Sequence, residues 1–130
     1  MADASRDVTS RQIPTAMGRL HVSDHPGDEP ALILMHGFPD DSRIYNRLVP
    51  LLPPRRAVTF DFLGYGGSDR PPAGTLDGAG HRHQLGAVLD GLGVETAVLV
   101  GHDASGPVAV DYALAAPGRV GQQADHLGQP

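Results

Sequence analysis

Three short apolar runs, each closed by glycine, constrain the fold of this chain more than any other feature. They are ALILMHG (31–37), AVTFDFLG (57–64) and TAVLVGH (96–102). Apolarity within them is continuous rather than alternating, as in strands covered on both faces of a parallel sheet. Segments of helical length separate them. In DDSRIYNRLVPLL (40–52), Ile44, Leu48, Leu51 and Leu52 fall at i, i+4, i+7 and i+8, with Pro50 ending or bending the helix. In HQLGAVLDGLG (83–93), Leu85, Val88, Leu89 and Leu92 fall at i, i+3, i+4 and i+7. After Asp103, SGPVAVDYALAAPG (105–118) carries Pro107 in a first helical turn and Pro117-Gly118 as a stop. Alternating strands and helices predict an α/β fold, a mostly parallel sheet with flanking helices and right-handed crossovers. RQIPT (11–15) and GRLHVSD (18–24) are weaker strand candidates around a turn at Met17-Gly18.

At 130 residues the chain is one domain by length. All ten basic residues are arginine, the formal net charge is −5, and only Arg55 and Arg56 are adjacent. No basic stripe is available to neutralise phosphates, so nucleic acid is not an expected partner. Without lysine there is no Schiff-base amine and no phosphate-loop lysine. Without cysteine there is no disulfide framework, thiol nucleophile or thiolate metal site. No apolar run approaches the ~18 residues of a membrane span, and MADASRDVTSRQ lacks the apolar stretch of a signal peptide. A cytoplasmic, soluble protein is expected.

The chemistry concentrates at the end of the third run. Gly101 closes a strand, Asp103 follows, and the small residues Ser105 and Gly106 lead into a helix. Such a strand-to-helix turn holds its tip residue in left-handed backbone geometry and needs small neighbours where strand and helix approach. The tip side chain projects at the carboxyl end of the sheet, where open α/β folds bind ligands, and next to a helix N-terminus, which favours an anion.

LMHGFPD (34–40), DFLGYGGSDRP (61–71) and VGHDASG (100–106) together resemble the α/β-hydrolase family, in the branch whose nucleophile is aspartate, which includes epoxide hydrolases and dehalogenases. The similarity covers roughly residues 15–120, with the motifs in family order. It implies an α/β-hydrolase-type sheet in which Asp103 is the nucleophile. The N–H groups of Phe38 and Ala104 would form the oxyanion hole, and His36, Gly37, Pro39, Gly101, His102, Ser105 and Gly106 the supporting loops, with no metal and no cofactor. It also suggests a cis peptide at Phe38-Pro39. A carboxylate is ionised at neutral pH and can attack an sp³ carbon directly, whereas a serine needs a base beside it from the start. The resulting ester then needs a histidine-activated water.

Other readings of these residues stand beside the first. Asp103 is a favoured residue type for a helix N-cap alone. Ser105 as nucleophile would require glycine at 103 and 107, where the chain has Asp103 and Pro107. His81 and His83 make a His-x-His that suits either a metal or an exposed helix face. Asp61 and Asp69 suit turn caps in the glycine loop.

The implied substrate is small and apolar, an epoxide or an alkyl halide. HGFP resembles the epoxide hydrolase pattern. Haloalkane dehalogenases typically place tryptophan after the nucleophile, where this chain has Ala104, and fluoroacetate-type enzymes carry arginines just beyond it, where ASGPVAV has none. The family's second acid, its histidine and its lid have no counterpart after Val120, and His126 lies too close in sequence to Asp103 to be that histidine. The chain therefore reads as the N-terminal half of a hydrolase domain over 1–120, truncated after the nucleophile helix, with a polar, disordered tail at 121–130. On this reading the run 96–101 is left with an open edge. A non-catalytic binding or assembly module built on the half-fold is the alternative. Nothing in the sequence sets the oligomeric state.

Overall fold

The computed structural model describes residues 7–72 and 78–123. Six strands form one sheet in the order β1-β2-β4-β3-β5-β6. Strands β1 (Thr9–Thr15) and β2 (Gly18–His25) make an antiparallel hairpin. Gly18 opens β2 at φ 138°, and Thr15 Oγ1 donates to its carbonyl at 2.6 Å. Strand β2 pairs antiparallel with β4 (Arg55–Phe60). From there the sheet is parallel: β3 (Asp28–Met35) lies between β4 and β5 (Ala97–Val100).

Alternation along β3 assigns the two faces. Ala31, Ile33 and Met35 belong to the main core, with Leu20, Val22, Phe60 and Leu99 from neighbouring strands. Helices α1 (Gly78–Gly91) and α2 (Ser105–Ala115) cover that face. The predicted stripe Leu85, Val88 and Leu89 is fully buried there, and Leu92 follows just past the helix end. Gly93, at φ 67°, ends α1, with the Val94 N–H returning to the Leu89 carbonyl at 2.9 Å.

The opposite face departs from expectation. Residues 40–52 form two 3₁₀ turns, Ser42–Tyr45 and Val49–Leu51, instead of one amphipathic helix. Their bonds are i→i+3, as from the Leu48 N–H to Tyr45 and from the Leu52 N–H to Val49. Pro50 has no N–H to give an α-helical ladder, and Pro53-Pro54 stop any continuation. The register changes with the helix type. Ile44, Leu48 and Leu51 point outward, at 41%, 40% and 80% exposure, while Tyr45 is buried against Leu34 and Ala57.

A second correction concerns the end of the chain. The sheet does not stop after the helix: Val120–Gln123 form β6, parallel to β5, with Ala97 opposite Val120 and Leu99 opposite Gln123. The tail assigned to 121–130 thus begins inside a strand, and β5 has a neighbour on both sides. Val120 is the one apolar residue in VGQQ, so no apolar run marked the strand; main-chain pairing forms it. His126 and the rest of 124–130 lie outside the described residues.

Candidate active site

Strand β5 ends at Val100 and α2 begins at Ser105, so the chain reverses over four residues. Space at this turn is short. A Cβ on Gly101 would stand 2.7 Å from Gly106 Cα and 2.9 Å from the Ser105 carbonyl oxygen, so only glycine lets strand and helix approach so closely. Ser105 is fully buried and binds the turn together. Its Oγ accepts the His102 N–H at 2.7 Å and stands 2.9 Å from the His102 carbonyl and 3.0 Å from that of Met35. One hydroxyl proton serves those two carbonyls in turn.

Asp103, at the tip, has φ 56°, the one positive φ outside glycine among the described residues. That conformation costs on the order of 1 kcal/mol or more and persists only where the surroundings dictate it. Its side chain caps nothing. The N-cap of α2 is Ala104, without a side-chain hydrogen bond, and among the described residues the Asp103 carboxylate has no ion pair or hydrogen bond. The helix-cap reading of Asp103 is therefore not what the geometry shows. The carboxylate lies instead against the loop after β3: a Cβ on Gly37 would meet Asp103 Cβ at 2.9 Å and Oδ2 at 3.2 Å.

That loop is fixed from below by His36, which is fully buried. Its Nε2 accepts the Phe62 N–H at 3.0 Å, so the ring proton is on Nδ1, which donates to the Gly37 carbonyl at 2.6 Å. Beneath it, Tyr45 donates its hydroxyl to the Met35 carbonyl at 2.6 Å, and burial pushes its phenol up to about 12. Phe38-Pro39 is cis, as the resemblance suggested. Neither the Phe38 nor the Ala104 N–H is taken up by a protein acceptor among the described residues.

Sequence reading missed an aromatic wall. Tyr65 stacks on Phe38 with centroids 5.2 Å apart and planes 13° apart, and Phe62 meets Phe38 edge-on at 5.3 Å. His81 is half-buried, not on an open helix face, with its ring 4.8 Å from Phe38 and 5.3 Å from Phe62. His83 is exposed. Among the described residues no three His, Cys, Asp or Glu are grouped to hold a metal. The GYGGS motif was the available signal for Tyr65; nothing local marked His81. The exposed His102 contributes backbone rather than ring contacts to the turn.

The glycine loop is held by its two aspartates. Asp61 accepts the N–H groups of Ser42 and Gly67, at 2.7 and 2.9 Å, and Asp69 accepts that of Arg19 at 2.8 Å. Two of the cavities among the described residues bear on the site. One, of about 510 Å³, opens at Phe38, His81 and Ala104 and follows α2 past Pro107 and Val110 to Leu114. The other, of about 610 Å³, is lined by His21, Ser23, Asp41, Arg43 and Asp61 among others, and has no residue of the turn at Asp103.

A mostly parallel sheet with a left-handed strand-to-helix turn, packed against a His-Gly loop, is the arrangement of the α/β hydrolase fold. The model of that family matches residues 30–122, and the chain belongs to it. It is similar to the epoxide hydrolase of Caballeronia sordidicola, 36% identical over 121 residues that cover 91% of this chain and 36% of that protein. It is similar also to haloalkane dehalogenase 2 of Mycobacterium bovis, 33% identical over 112 residues, 85% of this chain and 39% of that one. Among solved structures, an epoxide hydrolase from an endophytic Streptomyces superposes with a TM-score of 0.77 at 35% identity, over 88% of this chain and 36% of its own. The chain spans about a third of the length of the curated relatives it matches, 31% to 39%.

Proposed function

We propose that this chain carries the nucleophilic half of an epoxide-hydrolase-like reaction, with Asp103 as the nucleophile. One observation carries the reading. An aspartate stands in left-handed geometry with its carboxylate unpaired among the described residues, beside two N–H groups that no described protein group accepts. A residue kept for stability would cap or pair; this one does neither.

The steps follow from the geometry. An Asp103 oxygen attacks an epoxide carbon, the ring C–O bond breaks, and the released alkoxide takes a proton from water. The product is an ester on Asp103. When water later attacks that ester, negative charge develops on the remaining carboxyl oxygen, and the Phe38 and Ala104 N–H groups stabilise it. That second step needs a base to activate the water. We assign neither that base nor its orienting acid to a described residue. The reaction of the described residues is therefore a single alkylation.

Incubation with styrene oxide followed by peptide mass spectrometry tests this. One equivalent of adduct is expected on the peptide containing Asp103, and none in Asp103→Asn. No adduct, or one that survives that substitution, overturns the assignment and favours a non-catalytic module. The similarity to a haloalkane dehalogenase gives a second substrate reading, with a halide as the leaving group. A bromoalkane run in parallel separates the two, since it adds the same ester with release of bromide.

A further inference from the structure

Resting on that reading, we propose that the groove along α2 holds the unreactive arm of the substrate and selects long, uncharged epoxides over short or carboxylate-bearing ones. The groove starts at the reacting centre, because Phe38 and Ala104 line its mouth. Leu114 lies ten residues beyond Ala104, roughly 15 Å at the helical rise of 1.5 Å per residue. A volume of about 510 Å³ falls within the usual range of small-molecule sites.

Its walls are apolar where a solvent-facing helix side is normally polar. Helix α2 already buries Val108, Ala109, Tyr112 and Ala113 on its core side, yet Val110 and Leu114 on the groove side are 38% and 78% exposed. Asp111 is the one charged residue of α2 and also lines the groove. Its carboxylate is paired with Arg82 at 3.4 Å, which weakens its field toward charges of either sign, so the repulsion met by a carboxylate arm comes from Asp103 at the mouth. No arginine lines the groove to offset that repulsion. An uncharged alkyl or aryl arm is what such a channel accepts.

The test measures the rate of Asp103 alkylation, by mass spectrometry, for a series of terminal epoxides from butene oxide to decene oxide. Full burial of a methylene is roughly a fourfold effect, and an open groove covers about half of each, so the rate should rise roughly twofold per methylene. A carboxylate-ended epoxide of matched length should react at least tenfold more slowly. Val110→Asp and Leu114→Asp should each flatten the dependence on length; Leu51→Asp, the same change on the far face, should leave it intact. A separate reading avoids the reaction altogether. In Asp103→Asn, decanol should shift the NMR signals of Val110 and Leu114, and butanol should not. Alkylation of Asp103 at a rate independent of length, with no decanol shifts, overturns the groove and leaves the nucleophile standing. That result is also the one expected if further polypeptide fills the channel. Decanol shifts without any adduct would support the groove and remove the nucleophile.

Discussion

Two glycines of the turn, Gly101 and Gly106, look equivalent in sequence and should behave oppositely when changed to alanine. A methyl on Gly101 would sit 2.7 Å from Gly106 Cα, 2.9 Å from the Ser105 carbonyl oxygen and 3.0 Å from the Gly106 nitrogen. All three are backbone atoms, so no rotamer change relieves the contact. Helix α2 must move several tenths of an ångström to restore an ordinary 3.4 Å separation. Overpacking of this kind costs about 2–3 kcal/mol. With a urea m-value of roughly 1.5 kcal/mol/M, the unfolding midpoint of Gly101→Ala falls by about 1.3–2 M. Because the shift moves the Asp103 carboxylate out of its place against the Gly37-Phe38 loop, alkylation by styrene oxide should slow about tenfold or more. At Gly106 a Cβ meets nothing within 4 Å, and the site is helical, so alanine should gain up to about 1 kcal/mol. Urea unfolding of the two variants beside the parent decides the matter. Equal midpoints for Gly101→Ala and parent, or a larger loss in Gly106→Ala, would refute the close-approach account.

Three further outcomes are expected. Ser105→Ala removes the acceptor of the His102 N–H and the donor to the Met35 carbonyl, and should cost about 1–3 kcal/mol by urea unfolding. Asp24 is buried, which alone raises its pKa, but the hydrogen bonds and charge of Arg56, aided by Arg11, outweigh this and lower it below 3.8. A lowered folded pKa stabilises above 3.8, and the contribution is lost as pH falls through the folded value. The midpoint gap between parent and Asp24→Asn should therefore be wide at neutral pH and close in acid; a gap independent of pH would contradict the ion pair. For Tyr45 the sign reverses. Its phenol is raised from 10 to about 12, so its contribution is complete below 10 and lost as pH rises through about 12. An alkaline absorbance titration should show one of the three tyrosines ionising only near that value, and Tyr45→Phe should remove that step.

How much of this was legible in the sequence depended on which interaction built each part. Three of the parallel strands were, because burial on both faces forces continuous apolar runs such as Ala31–Met35, short enough and closed by glycine as strands are. The turn at Asp103 was, because steric demand restricts residue type at 101 and 103. The 3₁₀ segment was not. Ile44, Leu48 and Leu51 have helical spacing, yet the chain turns around Pro50 and buries Tyr45 instead. Strand β6 was not either, since main-chain pairing leaves no mark on VGQQ. The role of His81 depends on α1 bringing its first turn against Phe38, a contact between residues 43 positions apart that spacing does not encode.

The strand order has a consequence for how the chain is made. Strand β3 pairs only with β4 and β5, both of which follow it in sequence, and β2 reaches the sheet only through β4. As the polypeptide emerges from the ribosome, Ala31–Met35 has no partner until Arg55–Phe60 is out, and stays open on its other edge until Ala97–Val100 follows. A continuous apolar strand is thus the one that waits longest for both its neighbours. Non-local pairing of this kind is slow and leaves an unpaired apolar edge open to other chains while it waits. The turn at Asp103, which follows β5 directly, assembles at the moment the wait ends, so its left-handed geometry and the closure of the central strand form together.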